Sequence, residues 1–308
     1  MKITVGIITY KRPQGLNKTL HSLINQEYPE NLDIRIIVVD NEGSNAALLI
    51  VEKYKQKKKF HIDYYHEPDR GIPQARNRVV SEFRNKDSEA LLFIDDDEEA
   101  APNWIQELTS RWISSKADIV TGPVIQILPD ITPAWAKTAF SSPRKYVSGQ
   151  KVNMAYTGNI LISRKVLDKI KPAFHPTFRF TGSEDHYFAL SAVKKDFKIV
   201  WEGNAVVTEP VPSSRISLIW LMKRLFRAGS GDAKSQYLLY PKYLAVIRIL
   251  LRGSARITYG LFFMLAGALR IWHWPWIITG YRRFFSGLGT LAGLFGAKYE
   301  EYKKTHGS

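Results

Sequence analysis

Through the first 125 residues, short apolar runs alternate with stretches in which apolar positions recur every three or four residues. Residues 3–9 form the first run and read as a buried strand. Pro13 then opens a helix whose Leu16, Leu20, Leu23 and Ile24 share one face. The same alternation predicts strands over 34–39, 61–65, 90–94 and 119–124, and helices over 46–54, 72–83 and 103–112. Strands that alternate with helices build an α/β fold, a mostly parallel sheet covered on both faces. Ligands of such sheets sit beyond the carboxyl ends of the strands. Polar residues gather there: Thr9, Tyr10, Lys11 and Arg12 after the first strand, Asp40 and Asn41 after the second, Asp95, Asp96 and Asp97 after the fourth. Between 128 and 180 the pattern is broken by Pro129, Pro133, Pro143, Pro172 and Pro176, which predicts loops around one strand near 159–163.

The fourth strand stops abruptly at Asp95-Asp96-Asp97-Glu98. Adjacent carboxylates repel, so such a run calls for a neutralising cation, and hard divalent ions such as Mg2+ or Mn2+ match these oxygens. A solvated acidic turn is the alternative. Gly71 to Asn77 opens a helix whose free N–H groups and Arg76 suit an anion; a plain capped helix is the competing reading. Asp40 either accepts from the imide N–H of a pyrimidine base or closes a turn. Glu184 and Asp185, in Gly182-Ser183-Glu184-Asp185-His186, precede an apolar helical stretch at 187–190. They serve as a helix cap or as a general base. His186 beside them is structural or a ligand.

Read together, these segments resemble family 2 of the inverting glycosyltransferases, which have the GT-A fold: a Rossmann-like sheet flanked by helices. The resemblance covers most of the chain and rests on six short patterns in order: Ile7 to Pro13, Val38 to Asn41, Gly71 to Asn77, Phe93 to Glu98, Thr157 to Leu161 and Gly182 to Asp185. It implies an enzyme that binds a nucleotide sugar, UDP-linked in the first instance. Asp40 would meet the base, Asp95 the ribose, and Asp97 with Asp95 a divalent metal, Mn2+ or Mg2+. Three aspartates allow a shifted register, which leaves Asp96 open. Thr9, Tyr10, Arg12, Arg76, Asn159, Arg224 and Arg227 would complete the donor site. Asp185, with Glu184 beside it, would be the catalytic base. The Gln-x-x-Arg-Trp motif of processive members is missing, and Trp220 to Gly229 stands in its place. This is similar to non-processive bacterial enzymes that add one sugar to a lipid-linked or glycolipid acceptor.

The formal charge is +15 over 308 residues, but 213–299 hold 13 Lys and Arg against a single acid, Asp232. The division expected is therefore a catalytic 1–212 and a basic helical 213–308. Arg248, Arg252 and Arg256 recur every four residues, amid apolar residues and three tryptophans at 272, 274 and 276. Arginine attracts anionic lipid and tryptophan favours the headgroup boundary, so interfacial helices on a membrane are expected, with packing on the core as the alternative. The uncharged runs 257–269 and 271–281 fall short of the roughly 20 residues that span a bilayer. Absence of cysteine excludes disulfides and thiolate metal sites and fits the cytosol. With no secretory leader in 1–9, the expected location is the cytoplasmic face of the membrane. A nucleic-acid-binding module suits the interleaved apolar runs poorly, so no nucleic acid is expected. A sugar nucleotidyltransferase would want a glycine-rich loop directly after the first strand, where Thr9 to Pro13 has no glycine.

Overall fold

The computed structural model describes residues 1–140, 146–270 and 273–300. Pro143, Ile271, Trp272 and the tail from 301 lie outside the described residues. The strands are β1 (Lys2–Thr9), β2 (Asp33–Asp40), β3 (His61–His66), β4 (Ala90–Phe93), β5 (Glu99–Ala100), β6 (Ile119–Thr121), β7 (Val124–Ile127), β8 (Ile160–Ser163), β9 (Ile199–Trp201) and β10 (Val207–Pro210). The helices are α1 (Pro13–Ile24), α2 (Asn45–Lys55), α3 (Ile72–Arg84), α4 (Trp104–Ser115), α5 (Ala134–Phe140), α6 (Arg164–Lys169), α7 (Glu184–Lys194), α8 (Leu218–Leu239), α9 (Lys242–Leu269) and α10 (Trp274–Ala292).

Seven strands form the main sheet in the order β3-β2-β1-β4-β8-β6-β9. All pairs are parallel except those of β8, which runs antiparallel to β4 and β6. Chain order reverses between β1 and β4, so the sheet opens a crevice beyond their carboxyl ends. One buried cluster joins α1, α2 and α4 to one face, and a second joins α3, α6 and α7 to the other.

The strand expected over 119–124 divides in two. Gly122 and Pro123 interrupt it, and a Cβ at Gly122 would meet the Asn159 amide at 2.8 Å. Beyond the break, β7 leaves the main sheet and pairs with β10 in a small second sheet of order β5-β10-β7. Because β5 directly follows the aspartates, this small sheet brings β10 beside them.

The C-terminal helices pack on the rest of the chain. Ala136, Phe140, Val211, Leu221 and Ile278 form a third buried cluster. Glycines set the close approach of α9 and α10: a Cβ at Gly260 would meet the Phe284 backbone nitrogen at 2.6 Å, and one at Gly280 the Gly260 oxygen at 2.6 Å. Small residues at such spacing let two helix backbones touch.

Two expectations for this region are corrected. The uncharged run 257–269, expected to fall short of a bilayer span, is part of a longer helix: α9 is continuous over 28 residues, with an 18-residue window of mean hydropathy 1.3, long and apolar enough by length and composition to cross a membrane. The arginine stripe is turned inward and not toward a lipid surface. Arg248 Nε donates to Gln236 Oε1 at 2.9 Å, and Arg256 reaches Asp232 at 2.9 Å and Thr290 at 2.7 Å. The face of α9 left outward is apolar, with Leu251, Phe262, Leu265 and Leu269 exposed.

Candidate active site

The acidic turn sits at the mouth of the crevice, held from three sides. Gly15 on α1 lies so close that a Cβ there would press into the Asp96 carbonyl oxygen. Thr19 donates to the Glu98 carbonyl oxygen at 2.7 Å, and the Glu98 carboxylate accepts from the Asp95 N–H at 2.8 Å. The Glu98 carboxylate also lies over Gly158, where any side chain would collide with it.

Within the turn the side chains alternate. Asp95 and Asp97 point outward, with side chains 36% and 27% exposed, while Asp96 points in at 8%. Asp96 accepts from Thr9 Oγ1 at 2.7 Å and from Arg12 at 3.2 Å. Arg12 also reaches Asp97 at 2.6 Å. Burial pushes the Asp96 carboxyl up to about 7, against the pull of Arg12 and with the Asp97 charge adding to the rise. Asp97 is raised for the same reason, again opposed by Arg12 and pushed further by Glu209 and Asp95. Glu98, fully enclosed among these acids, is raised well above its ordinary range by burial and then by Asp95.

Arg76 is the centre of the arrangement. It is buried on α3; its Nη2 donates to Asp95 at 2.8 Å and its Nη1 to Glu184. One guanidinium therefore joins the turn after β4 to the first residue of α7. Burial lifts the Glu184 carboxyl to about 7, opposed by Arg76 and reinforced by the adjacent Asp185. Asp185 is half-exposed, and its Oδ1 accepts from the His186 N–H at 2.7 Å. The entry to α7 is bent: Gly182 and Ser183 both have positive φ, 64° and 73°. Left-handed backbone at a non-glycine residue is costly and tends to mark functional turns. Gly231 on α8 presses against Ser183, where a Cβ would meet that side chain's own Cβ at 2.5 Å.

On the other side of the crevice, Asp40 ends β2, buried. Its carboxylate accepts from Tyr64 Oη at 2.8 Å and from the Glu42 N–H at 2.8 Å. Asn41 pins the β3–α3 loop by donating to the Glu67 and Asp69 carbonyls and accepting from the Gly71 N–H at 2.7 Å. Tyr10 stacks under Arg70, whose guanidinium lies 4.6 Å from the ring centre and 5.5 Å from that of Phe180.

The structure thus brings together Thr9, Arg12, Arg76, Asp95, Asp96, Asp97, Glu184 and Asp185, with Asp40 and Tyr10 at the neighbouring strand ends. Several assignments change. Thr9 and Asp96 are buried against each other under the turn, while the Asp95 and Asp97 carboxylates are the more exposed pair. Arg76 holds two acids, Asp95 and Glu184. Asn159 does not face the site: its amide donates to the Pro123 and Ala205 carbonyls at 2.9 and 2.7 Å and accepts from Trp104 Nε1 at 2.8 Å, all buried. Arg224 and Arg227 part company, since Arg224 stacks on Trp220 at 5.2 Å whereas Arg227 is buried one turn before Gly231. Sequence reasoning missed Glu209 and its partner Arg215, joined at 2.9 Å, which β10 places beside Asp97. It also missed Asp232 as a contact of His186, although its isolation among 13 bases was a visible signal.

A sequence profile described as Glycosyl transferase family 2 matches residues 4–171, more than half of the chain and all of the strand ends just described up to β8. The chain belongs to glycosyl transferase family 2. As a glycosyltransferase it is 33% identical, over 76% of its length and 75% of the relative's, to the succinoglycan biosynthesis protein ExoM of Rhizobium meliloti strain 1021. It is 29% identical to the poly(ribitol-phosphate) beta-N-acetylglucosaminyltransferase TarS of Staphylococcus aureus, over 32% of its own chain and 16% of that longer protein. Among solved structures, the mannosyltransferase PcManGT of Pyrobaculum calidifontis, held with GDP-Man and Mn2+, superposes with a TM-score of 0.65 at 14% identity, over 96% of this chain and 88% of that one. S. aureus TarS in complex with UDP-GlcNAc superposes with a TM-score of 0.51 at 14% identity, over 92% and 90%. The fold of this family 2 enzyme is GT-A.

Proposed function

We propose that this enzyme moves a single sugar from a nucleotide sugar, UDP-linked, to a hydroxyl of a lipid-linked or glycolipid acceptor in envelope polysaccharide synthesis. The carrying observation is the Arg76 bridge, which sets the acidic turn and the acid pair of α7 side by side at the mouth of the crevice. The named role of ExoM in succinoglycan biosynthesis and the UDP-GlcNAc complex of TarS support the substrate class.

The site's chemistry fits a hard divalent ion. Every donor is a carboxylate oxygen, and the upward shifts at Asp97 and Glu98, caused first by burial, carry a further contribution from neighbouring acids that positive charge would relieve. Among the described residues no three His, Asp or Glu side chains converge into a ready cage. That pattern suits an ion held by one or two carboxylates, here Asp97 and Asp95, and completed by substrate phosphates. When bound, Mn2+ or Mg2+ supplies Lewis-acid neutralisation of the departing diphosphate. The residues of the chain do the remainder. Asp40 has lone pairs left beyond Tyr64 and Glu42 to accept a base N–H. Asp185 takes the proton of the acceptor hydroxyl as its oxygen bonds to C1 of the sugar. The C1–oxygen bond to the diphosphate breaks in the same displacement, its electron pair leaves with the diphosphate, and the anomeric centre inverts. Glu184, locked on Arg76, keeps the first turn of α7 in place.

The apolar outward face of α9 supports peripheral docking on a bilayer at the cytoplasmic face, with 1–212 carrying catalysis and 213–308 the membrane contact. Arg252 and Arg256 are paired with Asp232 inside the protein, and the exposed stripe of Leu251, Phe262, Leu265 and Leu269 suits the acyl boundary.

Asp185→Asn tests the assignment. It should leave donor binding intact and lower kcat by about 10² to 10⁴. Near-normal kcat would remove the role from Asp185 and direct attention first to Glu184.

A further inference from the structure

Asp232 is the single acid between Ser213 and Tyr299, and it is buried on α8. Four side chains converge on its carboxylate. His186 Nε2 lies 3.3 Å from Oδ1, Gln236 Nε2 donates to the same oxygen at 3.2 Å, Arg252 approaches it at 3.5 Å, and Arg256 reaches Oδ2 at 2.9 Å. A carboxylate only accepts, so Nε2 of His186 carries the hydrogen. Burial alone would raise the Asp232 carboxyl, but the His186 hydrogen bond and the Arg256 charge overcome it and hold the group well below the usual carboxylate range. The donors come from three helices: His186 from the first turn of α7, Gln236 from α8 itself, and both arginines from α9.

We propose that Asp232 is a positioning residue for the catalytic base, acting through His186 to hold the first turn of α7 against α8 and α9. This rests on the transferase reading of Asp185. The geometry supports it from both ends. Asp185 Oδ1 accepts from the backbone N–H of His186, so the residue that Asp232 anchors also orients the base. One position before Asp232, Gly231 meets Ser183 with no room for a side chain, which fixes α8 on the strained entry to α7. The same carboxylate pairs with Arg252 and Arg256 of α9, so the helix with the exposed apolar face and the turn that carries the base share one anion.

The experiment uses the full-length chain with UDP-GlcNAc and GDP-Man in turn, each with Mn2+, and reads release of nucleoside diphosphate alongside amide hydrogen exchange. Asp232→Asn should lower kcat about ten- to a hundredfold, with donor KM within about twofold, because the base is displaced and the donor site is not. Exchange at residues 184–187 should quicken relative to the C-terminal half of α7. His186→Leu should reproduce both effects, and His186→Gln, which keeps a donor for Asp232, should restore most of the rate. The double variant Asp232→Asn with His186→Leu should fall no further than either alone. Unchanged kcat and exchange in Asp232→Asn, or additive losses in the double variant, would overturn the proposal. If Asp232→Asn does not fold, His186→Leu with wild-type kcat and exchange would overturn it alone. Should the wild-type chain release no diphosphate from either donor, the transferase reading fails for them, while the exchange measurement still decides whether Asp232 holds α7.

Discussion

Gly15→Ala isolates the placement of the acidic turn without touching any acid. Gly15 lies in the first turn of α1, where alanine would ordinarily favour the helix by up to about 1 kcal/mol. The added methyl, however, would drive into the Asp96 carbonyl oxygen, with the Asp96 carbonyl carbon at 3.3 Å and the Asp97 Cα at 3.6 Å. Side-chain carbons stay at least about 3.0 Å from such an atom, so the turn must retreat by roughly 0.6 Å. The obstacle is backbone and has no rotamer to swing aside. Overpacking of this kind costs about 1–3 kcal/mol, which exceeds the gain in helix propensity. Net destabilisation of about 0–2 kcal/mol is therefore expected in thermal unfolding. The functional effect is larger, because displacement approaching 1 Å at a positioned group costs up to about 10²-fold. Calorimetric titration of UDP in the presence of Mn2+ should show affinity reduced at least about tenfold, while unfolding remains cooperative. A Gly15→Ala protein that binds Mn2+ and UDP like the wild type would refute the claim that this turn, in this position, carries the donor.

Two further outcomes follow from the same geometry. Asp96 is raised to about 7 by burial and Asp97 is raised too, so protons compete with a cation at this turn near neutrality. Mn2+-dependent UDP binding should weaken as pH falls below about 7, by up to about tenfold per unit for one displaced proton, and affinity flat across that range would count against it. On α9, Phe262 and Leu265 are 62% and 64% exposed. Replacing both with Glu should change stability by no more than about 0.5 kcal/mol yet abolish sedimentation with phosphatidylglycerol vesicles; a wild-type chain that never sediments with them would end the membrane reading.

The sheet and the acidic turn were legible because their signals are local. Alternation of period 2 and period 3.6 located β1 to β4 and α1 to α4 within a few residues, and three aspartates at a strand end announce themselves. What failed was partner choice across the fold. The spacing of Arg248, Arg252 and Arg256 placed them on one face of a helix but could not say what that face meets, and Asp232 lies 20 and 24 residues from Arg252 and Arg256 along the chain. Asn159 has the residue type of a ligand-binding group, yet its amide closes the gap between β6, β8 and Ala205. Arg76 looked like an anion site because it opens a helix, and only the arrival of α7 from 108 residues away reveals its second acid. The break at Gly122-Pro123 was visible as composition, but its purpose, to send β7 and β10 toward Asp97, depends on a second sheet that no single stretch of sequence encodes.

Anomalous diffraction from a crystal soaked with Mn2+ and UDP tests the central claim most directly. The account predicts one manganese peak beside the Asp97 carboxylate, in contact with the diphosphate, and a uracil ring within hydrogen-bond reach of Asp40. Nucleotide bound elsewhere, or no manganese peak at this turn, would contradict it.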